Sequence, residues 1–114
     1  MALSKTDILN AKDANIVTVA VPEWGGDVCI RVMSVGERDA YECEWLGKQD
    51  KGVENFRSKL LARCLCDEDG NRLFTDAEVE ELSKKSIHVM ERLFKKAIEH
   101  NAIAQSDVEE AAKN

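Results

Sequence analysis

The sequence predicts an α+β fold, a predominantly helical single domain with an N-terminal β-hairpin packed on a helical bundle. Three observations carry this. Residues 16–33 contain two short runs rich in β-branched side chains, IVTVAV and VCIRVM, either side of a Pro-Glu-Trp-Gly-Gly-Asp turn. From residue 34 onward, Ser or Thr followed three residues later by Glu recurs ahead of segments with apolar residues at helical spacing. Between them lies LLARCLCDEDGNRLFTDAEVEEL, residues 60–82, which reads as the end of one helix, an acidic turn and the capped start of the next. The domain should span residues 1–114, with the hairpin region at about 16–33 and the helical region at about 35–112.

Each element has its own warrant. Ser4 and Asp7 make an S-x-x-D helix start, after which Ile8, Leu9 and Ala11 are expected to pack as a short amphipathic turn. Residues 16–21 form the first strand, ended by Pro22, which has no amide hydrogen to give to a ladder. Residues 28–33 form the second, with Val28, Ile30 and Val32 alternating on one face. Two strands alone are marginal in water, so the hairpin should lay its apolar face on the helices that follow.

Ser34 and Glu37 form a capping box that opens a helix over residues 35–46. Its Tyr41 and Trp45 share a face, expected to lie under the hairpin. Residues 47–52 are polar and bounded by glycines, and a new helix is expected from Val53. Its Phe56, Leu60, Leu61, Cys64 and Leu65 spread over a wide apolar sector, the mark of a central helix touched on more than one side. Asp67-Glu68-Asp69-Gly70-Asn71 is turn chemistry, and Thr75 with Glu78 repeats the capping box ahead of Val79 and Leu82. Ser86 precedes the clearest amphipathic helix, Ile87–His100. There Ile87, Met90, Leu93, Phe94, Ala97 and Ile98 face one way and Glu91 and Lys95 form an i, i+4 pair. Ser106 and Glu109 predict a last short helix.

Composition narrows the function. The 114 residues are 44% apolar and 33% charged, a folded chain with a heavily solvated exterior. Sixteen basic against 22 acidic residues leave a formal charge of -6, which repels phosphate backbones and anionic lipid, so neither nucleic acid nor a membrane is an expected partner. The N-terminus lacks the apolar core of a secretory signal, and no stretch is long enough to span a bilayer, which points to the cytosol. Cys29, Cys43, Cys64 and Cys66 do not form a secreted disulfide framework, and Cys64 and Cys66, one residue apart, miss the spacing of a zinc pair. No nucleophile turn, phosphate loop or carboxylate pair accompanies His88 or His100, so an enzyme is not the expected class and no cofactor is implied.

Two features admit a second reading. Asp67, Asp69, Asn71, Thr75 and Glu78, with Leu73, fall at positions 1, 3, 5, 9, 12 and 7 of a twelve-residue calcium loop. The sixth position, where that loop needs glycine, is Arg72, and an acidic turn followed by a capped helix accounts for the same residues. Charge is also sorted: residues 67–81 hold seven acids and one base, residues 84–96 five bases and one acid. Sorted charge of this kind makes solvated faces, or alternatively a head-to-tail contact between copies.

Several segments together resemble a known family. LSKTDILNAKD at the start, VPEWGG between the strands, SVGERDAYE, DEDGNRLFTDAEVEEL, SIHVMERLFKKAIEHNAI and DVEEAAKN follow one another as they do in tail assembly chaperones of long-tailed bacteriophages. The resemblance implies a non-enzymatic protein of the host cytoplasm, from a phage or prophage. It would bind the tape measure protein and keep it soluble while tail tube subunits polymerise around it, and be absent from the finished virion. It also implies self-association and, where a longer frameshifted form is made, contact with the tail tube protein. Ala112-Lys113-Asn114 is compatible with a slippery A-AAA-AAC and equally with an ordinary end. Against this stand a calcium-responsive module and a generic adaptor. Trp24 and Trp45 are candidate partner anchors, with core packing the competing fate of Trp45.

Overall fold

A computed structural model describes residues 2–46 and 55–103. The polar stretch 47–52, the helix start at Val53 and the Ser106 to Glu109 capping box lie outside the described residues, as does the side chain of Trp45.

The chain begins with α1, Lys5–Asn10, closed by the predicted capping box: Ser4 Oγ accepts from Asp7 N and Asp7 accepts from Ser4 N. The expected packing does not follow. No residue of α1 is buried, and Leu3, Ile8 and Leu9 are 69%, 59% and 72% exposed. A capping box is a local interaction, whereas burial needs a partner, and none of the described residues covers this helix.

The hairpin pairs β1, Val17–Val21, with β2, Gly26–Ile30, antiparallel from Val17 opposite Ile30 to Val21 opposite Gly26. β2 starts and ends earlier than the predicted 28–33, because the connection is tighter. Pro22–Trp24 form a 3-10 turn, and Gly25, at φ +80°, donates to Pro22 O at 3.0 Å. Beyond Ile30 the ladder ends but the backbone stays bonded: Arg31 N to Cys64 O, Val32 N to Ala14 O, Met33 N to Asn101 Oδ1. A third strand, β3, Leu65–Cys66, continues the sheet in the order β1-β2-β3, with Leu65 opposite Ile30 and Cys66 opposite Cys29. Leu65 is therefore a strand residue, where its spacing from Leu61 suggested helix. Two residues are too few to display a period of two.

α2, Val35–Leu46, opens on the predicted box, Glu37 N to Ser34 Oγ at 3.2 Å and Ser34 N to Glu37 Oε1 at 3.0 Å. Its Tyr41 is fully buried in the core that also takes Val21 and Ile30 of the hairpin, and the Arg63 guanidinium of the next helix stands 5.5 Å from the ring centroid. That next helix is α3, Phe56–Cys64, and seven of its nine residues are buried, as expected of a central element. Phe56 meets Phe94 edge to face at 5.5 Å, and Arg57 covers both rings.

After β3 the chain doubles back through 67–71. Thr75 and Glu78 form their capping box, with Thr75 N to Glu78 Oε1 at 2.8 Å, first on a 3-10 turn and then on α4, Val79–Ser83. α5, Ile87–His100, has the predicted bounds and lies against α3 and β1. Its buried stripe is Val89, Met90, Leu93, Phe94 and Ala97. Ile87, expected inside, is 56% exposed at the mouth of a shallow cleft, and Val89 takes its place. Glu91 pairs with Arg57 of α3, Nε to Oε2 at 2.6 Å, and not with Lys95, since the fold brings a stiffer, bidentate-capable partner to it.

α5 ends in a Schellman motif: Ile103 N donates to Ile98 O at 3.0 Å and Ala102 N to Glu99 O at 3.2 Å. The left-handed position, which favours glycine, is Ala102 at φ +53°. Ala102→Gly should therefore stabilise the protein by about 1 kcal/mol, read as a higher urea midpoint at unchanged slope. An unchanged or lower midpoint would mean that the left-handed backbone carries no strain.

Leu61 O closes the last helical bond of α3, from Leu65 N, and the three carbonyls that follow lack helical partners, yet each finds another. Ala62 O accepts from Arg72 Nε at 2.9 Å, Arg63 O from Arg31 Nε and Nη2 at 3.1 and 2.7 Å, and Cys64 O from Arg31 N. Arg31 Nη2 also reaches Glu37 Oε2 at 2.5 Å. Burial alone would raise the Glu37 carboxyl, but hydrogen bonds from Ser34 and Arg31 bring it below the usual carboxylate value. Its contribution is thus present at neutral pH and fades as pH falls below about 4.5 through the lowered folded value. Arg31→Met should cost about 2 kcal/mol. Glu37→Gln should flatten the acid side of the stability profile, and a profile parallel to wild type below pH 5 would contradict the linkage (roughly the range where such carboxylates titrate).

Candidate interaction surface

An open apolar cleft lies where the hairpin turn meets β3 and α4. Trp24, Leu65, Phe74 and Leu82 supply its apolar walls, Glu81 and Lys85 its charges, and its volume is about 350 Å³. Each wall has a local cause. The Gly25 turn folds Trp24 back, and Leu73 N donates to Leu65 O at 3.1 Å, setting Phe74 beside β3. Leu82 comes from α4, while the Lys85 ammonium stands 5.3 Å from the Trp24 ring centroid.

The turn is clamped to α5 as well. Arg92 donates to both Glu23 oxygens, Nη1 to Oε1 at 2.9 Å and Nη2 to Oε2 at 2.5 Å, and this pairing draws the Glu23 carboxyl down to about 2. Trp24 nevertheless stays 39% exposed. Leu73, Ile87 and Val35 add further solvent-facing apolar side chains, at 54%, 56% and 79%. A second cleft, between α2, α3 and α4, is polar, and its charges pair among themselves: Glu44 with Arg63 at 2.6 Å and with Lys59 at 3.4 Å.

The residues of the calcium-loop pattern are used in two separate pieces. Asp67 Oδ1 accepts from the amides of Asp69 and Asn71, both at 2.9 Å, Gly70 takes φ +87°, and these bonds hold the Asp67 carboxyl below its usual value. Thr75 and Glu78 belong to the helix cap instead. Arg72, at the sixth position, turns inward to Ala62 O and Asp76. Among the described residues no group of three or more His, Cys, Asp or Glu is gathered in metal-holding geometry.

Some of the sorted charges are answered within the chain. Asp76 pairs with Arg72 at 2.8 Å, Glu80 accepts from Asn55 and Arg92 holds Glu23. His88 is exposed, and His100 contacts Asn15 O. Phe74 and Leu82 were legible as apolar positions, but nothing local marks them as cleft walls. That depends on the β3 pairing.

The four cysteines are free thiols. Burial pushes the Cys64 thiol up to about 12 and raises Cys66, whereas Cys43 is exposed. In native protein an aromatic disulfide reagent should titrate Cys43 rapidly and Cys64 only at the rate of unfolding. Equal rates for the two would contradict the buried α3 to β3 junction.

Solvent-facing apolar walls on a small α+β domain are a common mark of a surface for protein contact. Residues 4–114 match the sequence profile of phage tail assembly chaperones, and the chain belongs to that family. A solved structure, that of the bacteriophage HK97 tail assembly chaperone, is similar at a TM-score of 0.62 and 26% identity. The similarity covers 82% of this chain and 94% of that one. No protein of curated description matches.

Among the described residues no helix is long and apolar enough to cross a membrane.

Proposed function

We propose that this chaperone binds the tape measure protein of its phage, in the host cytoplasm, and keeps it soluble while tail tube subunits polymerise around it. The observation that carries this reading is the family match across residues 4–114. The chemistry supports it. Long tape-like proteins present apolar helical faces, and a small partner with single exposed apolar side chains such as Val35, Leu73 and Ile87 covers them through weak contacts. Many copies along one client turn weak contacts into firm retention, because each bound copy raises the effective concentration of the next contact. The whole chain, residues 1–114, acts as one domain in this role, transforms nothing and leaves before the virion is complete. A frameshifted longer form would add the tail tube protein as a second partner.

Co-expression tests the reading. The tape measure protein encoded beside this gene should be insoluble alone and move to the supernatant with the chaperone, and the two should co-purify. A tape measure protein that remains in the pellet, or is equally soluble without the chaperone, would refute the proposal.

A further inference from the structure

The sheet sets two thiols face to face. Cys29 of β2 and Cys66 of β3 are directly opposite partners in the antiparallel ladder, so their side chains leave the sheet on the same side. The bond from Arg31 N to Cys64 O fixes the alternation of that ladder: Ile30 and Leu65 are a non-hydrogen-bonded pair, and Cys29 and Cys66 are the hydrogen-bonded pair beside it. The α carbons of such a pair stand about 5.5 Å apart, inside the roughly 4.4–6.8 Å that a disulfide spans. Both thiols are free. Cys29 is half-buried beside the exposed Thr18, Oγ1 to Sγ at 4.0 Å, and Cys66 is buried. Burial raises the Cys66 thiol and the nearness of Cys29 raises it further, as befits two neighbouring sulfurs.

We propose that Cys29 and Cys66 form a redox site, which a small-molecule disulfide such as oxidised glutathione converts to a reversible cross-strand bond. Cys29, the more accessible member, attacks one sulfur of the oxidant as thiolate and releases one glutathione. The Cys66 sulfur then attacks Cys29 and releases the second. Two protein thiols are oxidised to one disulfide, the glutathione disulfide is reduced to two thiols, and both protein thiol protons end on glutathione. The second step joins residues already held opposite each other, so it outruns reaction with further oxidant.

Neither remaining cysteine competes. Cys64 belongs to the end of α3, is fully buried, and its sulfur accepts from Asn101 Nδ2 at 3.5 Å. Cys43 is exposed on α2, outside the sheet. The β carbons of a hydrogen-bonded pair start about 5.5 Å apart and a disulfide draws them to about 3.8 Å, so the bond forms under strain and is readily reduced. A reducing cytosol keeps the pair as thiols, and a rise in oxidant closes it. Closure ties β3, which carries the Leu65 wall of the apolar cleft, covalently to the hairpin.

The inference goes beyond the client reading, and its test contains no tail protein, so its failure leaves the tape measure proposal standing. Native full-length protein carrying Cys43→Ser, which removes the exposed thiol, is incubated with oxidised glutathione, alkylated and digested with trypsin. Peptides 13–31 and 64–72 should be recovered joined, with fragmentation placing the bond on Cys66, and dithiothreitol should part them. In protein unfolded by urea the preference for Cys66 over Cys64 should vanish. Adding Cys66→Ser should leave Cys29 carrying glutathione, the adduct that Cys66 otherwise resolves. If circular dichroism shows that variant to be unfolded, Cys29→Ser replaces it, and Cys66 should then stay unmodified, since it is reached only through Cys29. A Cys29 adduct that persists beside an intact Cys66, a bond to Cys64 in native protein, a preference that survives in urea, or thiols untouched by oxidant that modifies Cys43 in the unsubstituted chain would each overturn the proposal.

Discussion

The fold depends on how α3 ends. A helix buried on most of its circumference cannot leave its last carbonyls to water, and those of Ala62, Arg63 and Cys64 are satisfied by Arg31 and Arg72 from outside the helix. Cationic donors suit this place, because the C-terminal end of a helix carries the negative end of its dipole. The same two arginines then fix other elements. Arg31 extends β2 toward α2 through Glu37, and Arg72 ties the segment after the acidic turn to Ala62 O of α3 and to Asp76. Sheet, hinge and helices are thus referred to one point, and the apolar core gathers around it.

This dependence marks the boundary of what sequence reasoning reaches. Helix starts at Ser4, Ser34, Thr75 and Ser86 were legible, since a capping residue acts within a few positions of itself. α5 was legible in its bounds because its apolar residues recur at helical spacing. Which of two adjacent positions, Ile87 or Val89, turns inward depends on how the helix axis lies on α3, and spacing alone leaves that open. β3 and the Arg31 part of the cap join residues more than 30 positions apart, Arg72 reaches back ten, and neither leaves a local period. The apolar cleft inherits that difficulty: Trp24 stood out by composition, but its neighbours Phe74 and Leu82 become neighbours only once the third strand is paired.

The surface divides along the same lines. Charges that could repel one another are met by long-range partners, Glu23 by Arg92, Glu91 by Arg57 and Glu44 by the buried Arg63, and the more exposed of these pairs contribute more to geometry than to stability. Of the apolar groups left outside, Leu3, Ile8 and Leu9 precede β1 and Trp24 follows it, while Val35, Leu73 and Ile87 lie at other points of the surface. A molecule of this plan spends its core on a single rigid support and keeps its adhesive parts at the periphery.

Asn101 gives the chain a property that concerns its birth rather than its finished state. Its side chain accepts from Met33 N at 2.8 Å and donates to Arg31 O and Ala97 O, bridging 68 positions of sequence. During synthesis the sheet edge beyond Ile30 therefore waits, its Met33 amide unmatched, until α5 has emerged from the ribosome. A product cut short before Asn101 leaves the Met33 amide without this partner.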